Sequence, residues 1–420
     1  MKQEKPPRIL VIGDAVSPTG FARVIEGVFR PLADTYDVHQ IGFNFYGDPH
    51  DWPWPIYPAG GRNVRQGIER IAPLVQKLRP DLVFMLHDPW VLAPALGVLR
   101  RFEGLPVVAY ASFNAGPLDP KMFAELRGCE RFVVYTEFAR RAVEEGLARL
   151  DEPPAFPAIE VLPHGVDGET FHPLAADREA ARRRARQELF PDHPALHDAF
   201  IVLNANRNQP RKRIDVTMEG FARFVEGKPY DVYLHLHMGK DDLGWDLDRL
   251  ADHLGIGDRL IFTNPSRGIP SVSDAELNRI YNAADVGLNT TTSEGWGLIS
   301  FEQGAVGLAQ VVPDHTSGRE LWQGAAELLE PSLTLWDRQL LCHEYLVDPT
   351  TVAIALDRLY NDSAHRQHLE AEALNRVRAD RYRWSTISRQ WDSIFRQTLG
   401  ILPPLQTSTT ESVLVAFVSG

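Results

Sequence analysis

Residues 9–29 read ILVIGDAVSPTGFARVIEGVF and predict a buried strand, a glycine-containing loop and an amphipathic helix in succession. The apolar run ends at Gly13 and the loop reaches Gly20. The residues that follow at the spacing of one helix face are Phe21, Val24, Ile25 and Val28. A glycine loop that leads into a helix can bring backbone N–H groups to a phosphate or a sugar. The spacing is not GxGxxG, so by itself it indicates a tight turn of an α/β protein before it indicates a ligand site.

The same alternation of short apolar runs and amphipathic stretches continues along the chain. Uninterrupted runs of four to six apolar residues are typical of parallel strands that crossover helices cover on both faces. The first series of predicted strands is 8–12, 38–43, 82–86, 107–111, 132–135 and 159–162. After a polar segment, the second series is 200–203, 232–236, 260–262, 286–289 and 310–312. Two Rossmann-like halves are the simplest account of this order.

The change of pattern between the two series predicts the domain boundaries. We predict an N-terminal Rossmann-like domain over 1–174, a linker over 175–197 and a C-terminal Rossmann-like domain over 198–384. A helix at 385–402 is expected to pack back on the N-terminal domain, and a flexible tail is expected at 403–420. The linker contains an arginine cluster flanked by glutamates, which predicts a solvated helix without a functional role. These arginines are Arg182, Arg183, Arg184 and Arg186.

The composition excludes several classes of protein. Of the 420 residues, 44% are hydrophobic and 24% charged, which is ordinary for a globular chain. The 44 Lys and Arg residues against 56 Asp and Glu give a net charge of −12, which disfavours non-specific binding to nucleic acids or anionic membranes. Cys129 and Cys342 form no CxxC or Cys/His spacing, which argues against a disulfide scaffold and a zinc site. No run of 18 apolar residues occurs, so we expect a cytoplasmic chain without a transmembrane segment.

The stretch 281–307, YNAADVGLNTTTSEGWGLISFEQGAVG, is the first candidate ligand site. A strand is followed by a polar turn, and Glu294 is expected to open a helix that carries Glu302. Eight residues are a little over two helical turns, so both carboxylates are expected near one helix face, roughly 12 Å apart along the axis. The helix N-terminus and the glycines at 295 and 297 suit a diphosphate, and Glu302 could accept hydrogen bonds from a ribose diol. The alternative is that Glu294 is a charge at the helix entry and Glu302 a solvated helix residue.

The stretch 204–215, NANRNQPRKRID, is the second candidate. It follows the first strand of the second half, at the carboxyl edge of the sheet, where open α/β sheets bind ligands. Arg207 can contact a phosphate through two N–H groups, and Lys212 can act as a point charge. Together they could neutralise a leaving diphosphate without a metal. The alternative is a loop with solvated cations.

Four motifs, in order, resemble those of retaining glycosyltransferases of family 4, which have the GT-B fold. The motifs are PHGVD at 163–167 with Phe171 and Pro173, the R-x4-K pair Arg207 and Lys212, the Y-x-x-A-D segment with Tyr281 and Asp285, and the E-x7-E pair Glu294 and Glu302. The resemblance covers most of the chain, from Arg8 to about Trp391.

The resemblance implies an α/β protein of GT-B architecture, in which two Rossmann-like, doubly wound parallel-sheet domains face a central cleft. It implies a hexosyltransferase that moves a hexose-type sugar from a nucleoside diphosphate sugar to an unidentified acceptor with retention of configuration. The catalytic residues would be Arg207, Lys212 and Glu294. The donor-binding residues would be Gly20, Gly295, Trp296, Gly297, Leu298 and Glu302.

One departure concerns the histidine that many members of the family carry after the strand 107–111. This chain has Ser112, Phe113 and Asn114 there. Asn114 and the pair His87 and Asp88 are therefore candidate sugar or acceptor contacts, although His87 could instead cap the following turn.

Several alternatives stay open on the sequence. A sugar-nucleotide epimerase or a phosphorylase could use the same fold, and a catalytically lapsed protein could bind a glycan or sugar nucleotide. No cofactor and no metal are expected, because the cations of 204–215 take the metal's electrostatic role. The acceptor could be a small molecule, a glycan or a lipid-linked sugar, and the acidic balance disfavours a nucleic acid.

Overall fold

The computed structural model describes residues 5–59, 67–263, 267–268 and 270–402, which form two α/β lobes. The first lobe is built on seven parallel strands in the order β3-β2-β1-β4-β5-β6-β7. Its strands are β1 Arg8–Asp14, β2 Asp37–Phe43, β3 Ile56–Pro58, β4 Leu82–His87, β5 Val107–Ala111, β6 Arg131–Val134 and β7 Ile159–Val161. Its helices are α1 Gly20–Phe29, α2 Ile68–Leu78, α3 Pro89–Leu99, α4 Met122–Leu126 and α5 Glu137–Ala148.

The second lobe is built on six parallel strands in the order β10-β9-β8-β11-β12-β13. Its strands are β8 Phe200–Asn204, β9 Val232–Leu236, β10 Leu260–Phe262, β11 Val286–Leu288, β12 Ala309–Pro313 and β13 Glu327–Leu329. Its helices are α6 Arg178–Leu189, α7 Ile214–Phe224, α8 Leu247–Leu254, α9 Asp274–Ala283, α10 Leu298–Ala305, α11 Thr316–Trp322, α12 Pro349–Asn361 and α13 Ser363–Val377. A hairpin of β14 Pro331–Trp336 and β15 His343–Val347 follows β13, and α14 Trp384–Thr398 ends the described chain.

The central strand β1 shows why the apolar runs become strands with two covered faces. Ile9 and Val11 belong to one buried core, whereas Leu10 and Ile12 belong to the core on the opposite face of the sheet. Successive side chains of a strand point to opposite faces, so an unbroken apolar run fills both cores. The predicted pattern of two parallel, helix-covered sheets is confirmed.

The structure corrects the prediction that Glu294 opens the helix that carries Glu302. The helix α10 begins at Leu298, and the preceding Gly297 has a φ of +85°, in the left-handed region. This conformation turns the chain just before the helix starts, and a glycine adopts it without steric strain. Glu294 therefore lies on a loop, and the two carboxylates do not share one helix face.

The structure also corrects the prediction of a solvated arginine helix. Arg182 and Arg186 of α6 are buried, and both donate to the carboxylate of Asp285, which follows α9. Arg183 and Arg184 remain more than half exposed. The spacing of four residues places Arg182 and Arg186 on one helix face, and buried ion pairs with Asp285 hold that face against the rest of the second lobe.

The last helix crosses from the second lobe to the first. Trp391 of α14 is fully buried, with its ring 5.1 Å from Phe84 and 4.8 Å from Tyr110 of the first lobe. Phe395 stacks on Phe29 of α1 at 5.6 Å. The flexible tail predicted at 403–420 lies outside the described residues. Among the described helices, none combines the length and the apolar character needed to cross a membrane.

Candidate active site

The loops at the carboxyl ends of the two sheets meet between the lobes. A Cβ on Gly20, the first residue of α1, would lie 3.0 Å from Leu298 Cδ1, at the start of α10. A Cβ on Gly295 would lie 3.3 Å from the carbonyl oxygen of Phe113, on the loop after β5. The glycines thus allow the lobes to approach closely at the predicted donor site.

The two candidate stretches of the second lobe contact each other in an ion pair. Lys212 ends a short 3₁₀ turn after β8, and its Nζ donates to Glu294 Oε2 on the loop after β11. Arg211 Nη1 lies 3.7 Å from the same oxygen and donates to the carbonyl of Ser293 at 2.8 Å. Because β8 and β11 are neighbours in the sheet, their following loops lie side by side.

Burial changes the acid–base properties of this pair. Burial lowers the pKa of Lys212 to about 8, although Glu294 favours the charged amine. Burial alone would raise the pKa of Glu294, but Lys212 and Arg211 outweigh it and lower that pKa. The site therefore holds a carboxylate between two cations, one of which is a lysine with a lowered pKa.

The loop from Glu294 to α10 is fixed by contacts on both sides. Thr316 Oγ1 accepts the Glu294 N–H at 3.2 Å, and Ser317 Oγ donates to the Glu294 carbonyl at 2.7 Å. Trp296 is buried, with its ring 5.3 Å from His164 and 4.7 Å from Phe301. The buried indole anchors the loop, so the backbone from Gly295 onward is held at the helix start.

Glu302 lies further along α10 and is buried. Its Oε2 accepts a hydrogen bond from Tyr281 Oη at 2.9 Å, and its Oε1 lies 3.2 Å from Arg23 Nη1 of the first lobe. Burial raises the pKa of Glu302, while Arg23 acts in the opposite direction. Arg23 was not singled out from the sequence, because its partners lie on the other lobe, about 250 to 280 residues away.

Arg207 is placed differently from Lys212. It is half exposed, and its Nε and Nη2 donate to the two oxygens of Asp242 at 3.0 and 2.9 Å. Among the described residues, no ion pair joins Arg207 to Glu294. The structure thus brings Lys212 and Glu294 together and holds Arg207 at the edge of the same loop.

On the first lobe, His87 and Asp88 end β4 and begin α3. His87 Nδ1 accepts the backbone N–H of Asp88 at 2.8 Å, which leaves a proton on Nε2, 3.7 Å from Asp14 Oδ1. Burial raises the pKa of Asp88, against the opposing charge of Arg211 across the cleft. Asn114 is half-buried on the loop after β5.

Asp14 is a candidate site residue that the sequence reasoning missed. It ends β1, is buried, and accepts from Thr19 Oγ1 at 2.6 Å and Asn44 Nδ2 at 3.1 Å. The signal was an acidic residue directly after the apolar run of β1, at a carboxyl end where parallel sheets bind ligands. Within the described ranges, no three His, Cys, Asp or Glu side chains are grouped so as to hold a metal ion.

Comparison with known proteins shows relatives in sequence and in fold. No protein-family model matches the chain. It is 29% identical over 314 residues to the D-inositol 3-phosphate glycosyltransferase of Salinispora tropica, covering 70% of this chain and 60% of that protein. It is 32% identical over 290 residues to the protein of the same name from Nocardia farcinica, covering 64% of this chain and 57% of that protein. A mannosylfructose-phosphate synthase of Agrobacterium fabrum is 27% identical over 164 residues, covering 37% of this chain and 33% of that protein. The chain thus matches between about one third and three fifths of these relatives' lengths.

The solved structures extend the likeness to nearly the whole chain. Sucrose-phosphate synthase from Thermosynechococcus elongatus superposes with a TM-score of 0.72 at 18% identity, covering 95% of this chain and all of that one. The chain has the GT-B fold. Anabaena HepE in complex with UDP and glucose superposes on this GT-B chain with a TM-score of 0.69 at 17% identity, covering 93% of it and all of HepE. The predicted GT-B architecture and the resemblance to GT-B glycosyltransferases are confirmed.

Proposed function

We propose that the chain is a retaining glycosyltransferase that moves a hexose-type sugar from a nucleoside diphosphate sugar to a small acceptor. The observation that carries the proposal is the contact of Lys212 and Arg211 with Glu294, directly before α10. Cations and a helix start at one point of the cleft suit a diphosphate, which is the leaving group of such donors.

Each group of the site has a task in this reaction. Lys212 and Arg211 stabilise the charge that develops on the diphosphate as its bond to the anomeric carbon breaks. Glu302 accepts hydrogen bonds from the ribose hydroxyls, and Glu294 contacts the donor sugar. The acceptor oxygen bonds to the anomeric carbon on the face that the diphosphate leaves, and the acceptor proton passes to a leaving phosphate oxygen. Arg207 binds a phosphate oxygen at the edge of the diphosphate site after its ion pair with Asp242 breaks.

The first lobe supplies the acceptor side in this proposal. Asp14, His87 and Asp88 lie at the carboxyl ends of β1 and β4, which face the second lobe through the loops that follow them. The similarity to D-inositol 3-phosphate glycosyltransferases and to a mannosylfructose-phosphate synthase favours a phosphorylated polyol or sugar as acceptor. We propose that no metal takes part, because the two cations beside Glu294 already counter the diphosphate charge.

Thermal unfolding with a panel of nucleotides tests the donor class. UDP, GDP and ADP and their glucose derivatives are added in excess EDTA, and the one that binds the native chain raises the unfolding temperature. A concentration of 100 times the dissociation constant contributes about 2.7 kcal/mol, enough for a measurable shift. The absence of any shift contradicts the proposal.

Product analysis then separates transfer from the alternatives. With the donor identified and inositol phosphate or a hexose phosphate added in EDTA, NMR should show a new glycoside that keeps the donor's anomeric configuration. An epimerised donor without a second substrate would indicate an epimerase. Activity restored only by Mg²⁺ would contradict the proposed role of the cations.

A further inference from the structure

Arg23 is the one described residue of the first lobe that forms an ion pair with Glu302. It lies in the first turn of α1, and its guanidinium also donates to Asp274 at the start of α9, at 2.9 Å. We propose that Arg23 is a positioning residue that occupies the ribose site: it holds Glu302 across the cleft until the hydroxyls of the donor's ribose replace it. This inference rests on the proposed function.

The burial of Glu302 shows that something must move before a ribose can reach it. Glu302 is 6% exposed, and each of its carboxylate oxygens already has a partner. Tyr281, the partner of Oε2, is 1% exposed within the second lobe, whereas the Arg23 side chain is 36% exposed. Arg23 is therefore the partner that can leave without disturbing a core.

The surroundings of α1 indicate that the lobes separate when a donor enters. Gly20 contacts Leu298 across the cleft, so the first turn of α1 covers the start of α10. Glu302 on that helix is buried, with both carboxylate oxygens already paired, so a donor ribose reaches it only when α1 withdraws. The Arg23–Glu302 pair bridges the surfaces that withdrawal would separate.

The other contacts of Arg23 make the exchange inexpensive. Its guanidinium lies 5.5 Å from the centre of the Phe171 ring and also pairs with Asp274, which is largely exposed. Withdrawal of α1 separates Arg23 from Asp274 as well, and water can solvate both side chains because they are already partly exposed. The hydroxyls of the ribose donate hydrogen bonds to the Glu302 carboxylate in place of Arg23. The carboxylate therefore keeps polar partners after the exchange.

Calorimetry with the nucleoside diphosphate that stabilises the wild-type chain, with all variants compared at one pH, tests the competition. Arg23→Ala should bind that nucleotide roughly three- to tenfold more tightly, because no ion pair has to be broken first. In a Glu302→Gln background, the same change should give no gain. Arg30→Ala is the matched control, since Arg30 directly follows α1 and pairs with Glu26 of that helix at the surface.

Unchanged or weaker binding by Arg23→Ala would overturn the inference while leaving the proposed function standing. If the wild-type chain binds no nucleoside diphosphate, the proposed function fails and this inference fails with it. Arg23→Lys covers the case in which the alanine variant unfolds: it keeps the charge but cannot contact Glu302 and Asp274 through two separate nitrogens, so tighter binding than wild type is expected. A lysine variant that binds more weakly than wild type would also contradict the competition.

Discussion

At the scale of single residues, Lys212 is the group whose chemistry depends most on its surroundings. Its pKa is lowered to about 8 by burial, so the folded chain binds fewer protons there than an exposed lysine would. The charge that the proposed reaction uses is present below pH 8 and is lost as the pH rises through that value. The affinity for nucleotides should therefore fall as Lys212 loses its charge.

We predict that nucleoside diphosphate affinity falls as the pH rises from 7 to 9.5, by up to about tenfold per unit above the pKa of Lys212. Lys212→Arg should lose this dependence, because a guanidinium stays charged throughout the range. Calorimetric dissociation constants across the range provide the measurement. Identical pH profiles for the two proteins would remove Lys212 from the diphosphate site.

The sequence could predict that Lys212 and Glu294 belong to one site, but not how each is paired. Both follow strands of one parallel sheet, so the topology alone brings their loops to the same edge. The partner of Arg207 is different: Asp242 lies on the loop that follows β9, and no periodicity specifies which acid a surface arginine contacts. Side-chain pairing across loops depends on tertiary packing, which a pattern of residue types does not contain.

At the scale of elements, the buried central strands were predictable, whereas of the four short edge strands β7 and β10 were predicted and β3 and β13 were missed. The strands β5 and β9 match their predicted bounds, because a short apolar run between turn residues predicts a buried strand. The three-residue strands β3 and β13 lie at sheet edges, where few side chains are buried. The hairpin of β14 and β15 was also missed, since its exposed apolar residues follow no clear alternation.

The helix α6 shows how a charged segment can be structural. Its polar sequence predicted solvation, yet Arg182 and Arg186 meet the buried Asp285, whose pKa they lower against the effect of burial. A period of four among arginines was the available signal. The sequence does not show that Asp285, which follows α9, lies opposite this face of α6. Without that contact, a buried arginine face cannot be distinguished from a solvated one.

We predict that Asp285→Asn destabilises the chain by about 3–5 kcal/mol, because it removes the carboxylate that two buried guanidinium groups share; Arg182 keeps Glu370 at 3.7 Å, but Arg186 loses its ion pair. Asp314→Asn is the control, since Asp314 pairs with Arg319, which is largely exposed, and should cost less than about 1 kcal/mol. Thermal or urea unfolding measures both. Equal losses in the two variants would show that the α6 ion pairs contribute no more than a surface pair.

At the scale of the whole molecule, the end of the described chain joins the two lobes. The helix α14 follows the second lobe in sequence, but its apolar face completes the core of the first, around Phe29 and Phe84. The glycines at 27 and 165 leave room for Trp384, at the start of α14: a Cβ on either would lie within 2.5 Å of its ring. Opening of the cleft must therefore keep this helix on the first lobe.

The last prediction concerns Trp391, which is fully buried although it belongs to the last of the described helices. Trp391→Ala should cost about 3–5 kcal/mol and lower the unfolding temperature of the first lobe by on the order of 10 °C, because a cavity replaces an indole that packs on Phe84 and Tyr110. Trp336→Ala is the matched control: this tryptophan of β14 is 61% exposed, and its loss should change stability by less than about 0.5 kcal/mol. Calorimetric unfolding of both variants compares the same substitution in two surroundings. If Trp391→Ala is no more destabilising than Trp336→Ala, α14 is not part of the first-lobe core, and the lobes are free to move without carrying it.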